Sequence, residues 1–318
     1  MAASFWESTQ RRFWIFNKDE IGRTREKLKE DEQNLVHMFP LPEWRHLSIY
    51  FNQQVTRLAR RLALRQQVVA TAQMYIKRFY TKVEVRRTNP YLVCATALYL
   101  ACKMEESPQH IRLVVQEARS LWPDFLTLDM SRLGECEFFL ISEMSAQMII
   151  HQPYRTLTTL QSDFYLSQDE INLSWSIIND HYMTDLPLLY PPHIIALTAI
   201  LLSLVLRPNP VPGGQATGMA AAQAALAQAQ GARGLVSGMS SGQTTPVGST
   251  EKDKSNEARV GKLQRFAAFL AESNVDIEGM VDCTQELISF YEVHEQYNDK
   301  AVRDQVNRFI KARGLDKG

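Results

Sequence analysis

The feature that most constrains the fold is an internal repeat, in which two apolar stretches that each begin with a proline lie 102 residues apart. Pro90 starts the first stretch, "PYLVCATALYLACKM", and Pro192 starts the second, "PHIIALTAILLSLV". The same offset aligns further identical residues: Gln66 with Gln168, Tyr80 with Tyr182, Thr96 with Thr198, Ala97 with Ala199, and Leu100 with Leu202. This repeat predicts two similar domains, each of which surrounds one buried central helix.

Apolar residues recur at helical spacing along most of the chain, and no stretch shows the alternation that is typical of a strand. The helical patterns cover residues 43–63, 66–81, 90–104, 109–121, 129–145, 153–163, 168–184, 192–206, 257–273, 276–294 and 297–312. Asn89 before Pro90 predicts a helix N-cap, and Ser167 with Glu170 predicts a capping box. We therefore predict an all-α protein of two tandem five-helix domains, with extra helices at its N- and C-terminal ends.

The helical patterns also suggest where the domains begin and end. We assign residues 1–42 to an N-terminal extension with a short helix, 43–147 to the first domain, 148–206 with 257–296 to the second, and 297–318 to a C-terminal helix and tail. Residues 207–256 differ in composition, because they are rich in Gly, Ala, Gln, Ser and Thr and contain no aromatic residue. Such a segment cannot bury enough apolar surface to offset the entropy of ordering, so we predict a flexible insertion there.

Composition excludes several classes of function. The chain has 35 basic and 35 acidic residues, so its formal net charge of +0 provides no general attraction to nucleic acid or to an anionic membrane, and we expect neither as a direct partner. The four cysteines are scattered without a C-x-x-C spacing, which indicates reduced thiols and no zinc site. Residues 193–206 are apolar but shorter than the roughly 20 residues that cross a bilayer. We find no catalytic motif, and we expect no metal and no cofactor.

Lys103 stands at the end of the apolar run "CATALYLACKMEES", where an unpaired charge is costly to bury. In one interpretation its stem lies along the core and its ammonium reaches solvent, paired with Glu106 three residues later. In the other interpretation the lysine belongs to an interface with another protein. The repeat favours the second, because Val205 occupies the matching position and the fold therefore does not require a cation there.

The segments "LACKMEES" and "LGECEFFL", together with the tandem five-helix pattern, resemble the cyclin box. Longer segments are similar to the cyclin C branch of that family, the transcriptional cyclins of the RNA polymerase II Mediator complex: "SFWEST", "LRQQVVATAQMYIKRFY", "HQPYRTL" and "IINDHYMTDLPLLYPP". The resemblance spans residues 1–206 and, more loosely, 257–296. The insertion resembles the variable insertions of fungal members.

The resemblance implies a nuclear regulatory subunit without catalytic activity of its own, which binds and activates a cyclin-dependent kinase of the Mediator kinase module and so regulates transcription. Lys103 and Glu135 would grip the regulatory helix of the kinase, and Leu100 and Phe139 would add apolar contact area. ATP and Mg²⁺ would bind to the kinase, so this chain would need no cofactor.

The resemblance implies a second contact as well, in a groove between the two boxes that faces another subunit of the Mediator kinase module. Its candidate residues are Trp6, Asn179, Asp180 and Tyr291. A structural role is open for each of them, since an N-terminal aromatic helix can cap a domain, and Asn or Asp near a helix end often bonds to backbone groups.

Two other functions also remain open on the sequence alone. A DNA-binding core like that of TFIIB shares the tandem five-helix fold, but it predicts a basic surface and a zinc ribbon, which the charge balance and the cysteine spacing disfavour. The second alternative function is that of a helical scaffold without a kinase partner. Stoichiometric co-purification of a protein kinase, activated by this chain, would distinguish a cyclin from both.

Overall fold

The structure, a computed structural model, describes residues 4–206 and 251–317, with side chains described outside residues 251–259. These residues form fifteen α-helices and two short 3-10 helices, Phe5–Glu7 and Val85–Arg87, and none of them lies in a strand. The predicted all-α class is thus confirmed.

The helices follow one another in chain order. They are α1 (Thr9–Phe13), α2 (Lys18–Asp31), α3 (Gln33–Met38), α4 (Trp44–Arg61), α5 (Gln66–Phe79), α6 (Pro90–Met104), α7 (Ile111–Leu121), α8 (Met130–Glu143), α9 (Pro153–Leu160), α10 (Gln168–His181), α11 (Leu186–Leu189), α12 (Pro192–Val205), α13 (Glu251–Glu272), α14 (Ile277–Gln296) and α15 (Asp299–Arg313). Every predicted helix is present. The helices α2, α3 and α11 are additional, because their polar or very short sequences carry little periodic signal.

The chain forms two compact units. The first comprises the described residues of Met1–Gln152, Tyr182–Pro191 and Val293–Gly318, and the second comprises those of Pro153–His181 and Pro192–Glu292. Compared with the predicted domains, the first unit therefore also includes the segment that contains α11. Helix α13 begins at Glu251, six residues before the predicted start, and the rest of the predicted insertion, 207–250, lies outside the described residues.

Helix α6 is the centre of the first unit, where α4, α5, α7 and α8 pack around it. The Asn89 side chain accepts a hydrogen bond from the Tyr91 N–H at 3.0 Å, and Pro90 occupies the first turn, which confirms the predicted N-cap. The Asn89 amide also donates to the carbonyls of Phe125 and Leu315. Because α6 is apolar on nearly all sides, most of its side chains are buried; Leu92 and Tyr99 are half-buried, and Lys103 and Met104 in the last turn are exposed.

Helix α12 has the same place in the second unit, packed by α9, α10 and α13. Ser167 and Glu170 form the predicted capping box at the start of α10, with the Ser167 N–H 2.7 Å from the Glu170 carboxylate. The same carboxylate forms an ion pair with the Lys262 ammonium at 2.7 Å, which connects α13 to α10. Within residues 4–206 and 251–317, no helix is both long and apolar enough to traverse a bilayer.

Candidate functional site

Lys103 lies on the last turn of α6 in the first unit, with 43% of its side chain exposed. Its ammonium is 2.6 and 2.9 Å from the two carboxylate oxygens of Glu137 on α8, and it lies 4.3 Å from the centroid of the Tyr99 ring. Partial burial opposes the charge, but the hydrogen bond and charge of Glu137 outweigh that cost, and the pKa of Lys103 is raised above its ordinary value. We call Tyr99, Lys103 and Glu137 the lysine cluster.

The lysine cluster corrects one interpretation of Lys103, in which Glu106 is its partner. Glu106, three residues later, is not the partner, because α6 ends at Met104 and Glu106 has a left-handed backbone with φ of 50°. The helical i, i+3 geometry is therefore lost at that residue. Glu135, the other charged residue expected to contact the kinase helix, is not part of the lysine cluster. Since Glu135 and Glu137 are about 200° apart around α8, they point to nearly opposite sides of that helix.

Glu135 faces a separate pocket of about 380 Å³ in the first unit. The pocket is lined by Arg87, Thr88, Asn89, Leu92, Val93, Arg132, Glu135, Cys136, Phe139 and Leu315. Its lining thus combines two arginines and one carboxylate with an apolar floor. A partner side chain that carries both an apolar stem and a charge matches this combination.

Phe138 and Phe139 supply apolar surface on α8. Phe138 is 76% exposed and Phe139 is 37% exposed, with the Phe139 ring edge-on to Phe79 at 5.2 Å. Leu100, which the sequence placed with Phe139 in the contact area, is only 3% exposed and belongs to the core of the first unit. Leu100 therefore presents little surface of its own, whereas Tyr99 is half-buried and Lys103 is exposed on the same helix.

Three of the four residues expected in the second groove lie in the second unit. Asp180 accepts a hydrogen bond from the Tyr291 hydroxyl at 3.2 Å, and both side chains are buried. Burial raises the pKa of Asp180 to about 7, although the hydrogen bond from Tyr291 partly opposes the shift. Asn179 is half-buried and accepts from the Tyr154 hydroxyl at 2.6 Å. Asp180 and Tyr291 therefore present little surface, and Asn179 presents more.

Trp6, the fourth of these residues, lies in the first unit and is 56% exposed. The Arg11 guanidinium lies 5.4 Å from its ring centroid, and Arg11 also donates to the Trp6 carbonyl at 2.9 Å. Phe5 contacts the Trp6 ring edge-on at 5.5 Å. The local segment thus holds an exposed indole in one place. By contrast, Trp14, eight residues later, is buried in the core.

A model of the cyclin N-terminal domain matches residues 20–149 of the chain. The chain is also 60% identical to the RNA polymerase II holoenzyme cyclin-like subunit of Neurospora crassa and 60% identical to that of Gibberella moniliformis. Each alignment covers 100% of both proteins. The chain belongs to the cyclin family. The family predicted from the sequence is confirmed.

Solved structures show the same fold for this cyclin. A chain in the CAK complex of Chaetomium thermophilum bound to ATP-γ-S superimposes with a TM-score of 0.59 at 16% identity, covering 99% of this cyclin and 90% of that chain. A chain in the yeast TFIIK complex gives a TM-score of 0.53 at 22% identity, covering 62% and 85%. At these identities the likeness concerns the fold.

The sequence analysis of this cyclin missed Tyr99, Glu137 and Phe138. Tyr99 is four residues before Lys103, so helical spacing alone could have placed the two together. Glu137 is 34 residues away along the chain, and only the packing of α8 on α6 brings it to Lys103. Across the described part of this cyclin, no group of three or more His, Cys, Asp or Glu residues is arranged to hold a metal ion.

Proposed function

We propose that this cyclin is the regulatory subunit that binds and activates a cyclin-dependent kinase of the Mediator kinase module, and that it acts in the nucleus in transcription by RNA polymerase II. The lysine cluster is the observation that carries the proposal. The names of its relatives, and the kinase complexes in which its structural neighbours occur, support a transcriptional kinase as the partner.

The lysine cluster suits recognition of a kinase helix because its charge is held in place before binding. Two oxygens of Glu137 and the ring of Tyr99 fix the ammonium of Lys103 at the surface. A group that is already ordered loses less conformational entropy when a partner binds. The exposed Phe138 ring offers apolar area on the same helix as Glu137, and such aromatic residues often dominate binding energy. We propose the pocket at Glu135 and Phe139 as a second contact for the kinase.

Activation would follow from selection between two kinase conformations. In an inactive kinase the αC helix is displaced, and the internal Lys–Glu pair that positions the ATP phosphates is broken. A cyclin that binds only the inward position of that helix shifts the population toward the active state. The binding groups of this chain therefore act on the conformation of the kinase, while ATP and Mg²⁺ bind to the kinase itself.

Replacement of Lys103 by Glu tests this proposal. The variant places a carboxylate beside Glu137, and we expect it to weaken kinase binding by about 2–5 kcal/mol, as for loss of an interfacial charge pair. Val205→Glu is the matched control, because it introduces the same residue at the equivalent position of the repeat and should leave affinity unchanged. Calorimetric titration with the recombinant Mediator kinase, together with its phosphorylation rate, measures both. Wild-type affinity of Lys103→Glu would rule out this site.

We also propose that Trp6 and Asn179 each contact another subunit of the Mediator kinase module. Trp6 combines high exposure with a stacked arginine, which is the composition of many interface anchors. Trp6→Ala should reduce assembly with those subunits and preserve kinase binding. Phe13→Ala is the control, since Phe13 is 57% exposed in the same N-terminal segment. Equal losses for the two variants would show that exposure of an aromatic ring alone, not Trp6, decides assembly.

A further inference from the structure

The loop between α6 and α7 contains a serine that the proposed function does not use. Helix α6 closes with Glu106 in the left-handed conformation, and the Ser107 N–H donates to the Cys102 carbonyl at 2.9 Å. Residues 107–110 then have neither helical nor turn structure before α7 starts at Ile111. Ser107 is half-buried and Pro108 is exposed, so the serine is partly accessible in a loop without regular structure.

The dipeptide Ser107-Pro108 has the chemistry that proline-directed protein kinases recognise. Proline has no backbone N–H and a fixed φ, and it disfavours the helical conformation in the residue before it. A serine in this context therefore favours the extended form in which kinases bind substrate peptides. The chain has one other Ser/Thr-Pro dipeptide, Thr245-Pro246, which lies outside the described residues.

The charges around Ser107 determine what a phosphate would do there. Ser107 folds back onto the last turn of α6, which carries Lys103, so a phosphate would lie roughly one helical turn from the lysine cluster. The position is at the C-terminal end of the helix dipole and next to Glu105 and Glu106, where a further charge of about −2 is unfavourable. The phosphate oxygens would compete with Glu137 for the Lys103 ammonium.

We infer that Ser107 is a phosphorylation site for a proline-directed protein kinase, and that its phosphorylation weakens binding of the cyclin-dependent kinase at the lysine cluster. The second half of this inference rests on the proposed function; the first does not. In the reaction the Ser107 hydroxyl oxygen attacks the γ-phosphorus of ATP and the bond from that phosphorus to the β-phosphate oxygen breaks. ADP leaves, and the hydroxyl proton passes to a base of the modifying kinase.

The modification is tested on the intact chain with purified, active mitogen-activated protein kinase, ATP and Mg²⁺. The Thr245→Ala variant should take up phosphate on Ser107, located by tandem mass spectrometry. Addition of Ser107→Ala should abolish this uptake, and addition of Pro108→Ala should lower it at least tenfold. A Thr245→Ala chain that stays unmodified at Ser107 overturns the inference, whether or not a synthetic peptide of residues 101–113 is phosphorylated. So does full uptake after Pro108→Ala.

The regulatory half is tested by titrating the phosphorylated and the phosphatase-treated Thr245→Ala chain into the recombinant Mediator kinase. We expect phosphorylation to raise the Kd about tenfold or more, and to change it less than threefold in a Lys103→Ala background. Equal Kd values for the two forms would overturn regulation at this site while leaving the modification intact. If the unphosphorylated chain did not bind the kinase, the proposed function itself would fail, and regulation would fail with it.

Discussion

The central helices of the two units, α6 and α12, have the same construction and different ends. Both start with a proline, both are apolar on nearly all sides, and the pairs Thr96 and Thr198 and Ala97 and Ala199 are buried at equivalent positions. At the last turn α6 carries Lys103, paired with Glu137, whereas α12 carries Val205, which is 45% exposed. The repeat therefore preserves the buried apolar residues of the central helix, while the exposed residue at its C-terminal end differs between the two units.

The two units also differ in the environment of an aspartate, Asp185 in the first and Asp180 in the second. In the first unit Asp185 accepts two hydrogen bonds of 2.7 Å from Arg25 and one of 3.1 Å from Trp44. Burial alone would raise the pKa of Asp185, but Arg25 outweighs burial, and the pKa is lowered. In the second unit Asp180 accepts a hydrogen bond from the Tyr291 hydroxyl, and burial raises its pKa. The surroundings of Asp185 thus favour its anionic form, and those of Asp180 favour its protonated form.

The largest expected loss of stability comes from truncating a buried side chain in the central helix that both units share. Leu98→Ala in α6 and Ile200→Ala in α12 remove equivalent side chains that are fully buried. Each should lower the free energy of unfolding of its own unit by about 2–5 kcal/mol, since the transfer free energy of the lost methyl groups and a cavity both contribute. Denaturant unfolding followed by tryptophan fluorescence and circular dichroism measures the loss. A cost below about 1 kcal/mol in only one unit would break the equivalence of the two helices.

Removal of Arg25 should reduce the stability of the first unit, because only that unit contains the pair of Arg25 and Asp185. Arg25→Ala leaves the Asp185 carboxylate without its cation, and we expect a loss of about 3 kcal/mol, the low end for a broken buried pair because 22% of each side chain is exposed. The loss should shrink on acidification, because the lowered pKa of Asp185 provides stability that is present at neutral pH and disappears as the carboxylate is protonated. Arg23→Ala on the exposed side of α2 is the control and should change stability by less than about 0.5 kcal/mol. Thermal unfolding at pH 7 and pH 4 compares the two variants.

How much of this could be predicted from the sequence depends on the distance over which each signal acts. The starts of α6 and α12 follow from Pro90 and Pro192, because a cap and a proline act within one turn. The partner of Lys103 did not follow, since Glu106 is near in sequence but turned away by its left-handed backbone, and Glu137 is brought in by packing. The burial of Leu100 did not follow either, because an all-apolar helix has no periodic signal to tell its inner face from its outer one.

The protonation of Asp180 gives the second unit a pH dependence opposite in sign to the one that Asp185 gives the first. The folded chain keeps this proton up to a pKa of about 7, whereas the unfolded chain loses it near pH 4, so the folded state binds more protons in that interval. The free energy of unfolding of the second unit should therefore fall as pH rises from about 4 to 7, by on the order of 2 kcal/mol relative to Asp180→Asn. Asn keeps an acceptor for Tyr291 and removes the titration. Parallel pH profiles of wild type and variant would contradict a raised pKa.

Exchange of the two helix ends gives the smallest expected change in stability and the sharpest test of the comparison. Lys103→Val removes an ion pair whose lysine is 43% exposed, and Val205→Lys places a cation at a position where the valine is 45% exposed, so each should alter the free energy of unfolding by less than about 1 kcal/mol. Chemical denaturation at low and high salt measures both, and the small loss from Lys103→Val should disappear at high salt, where an exposed ion pair is screened. A loss of several kcal/mol from Lys103→Val would instead assign Lys103 to the stability of the first unit, and the difference between the two helix ends would then reflect folding and not partner binding.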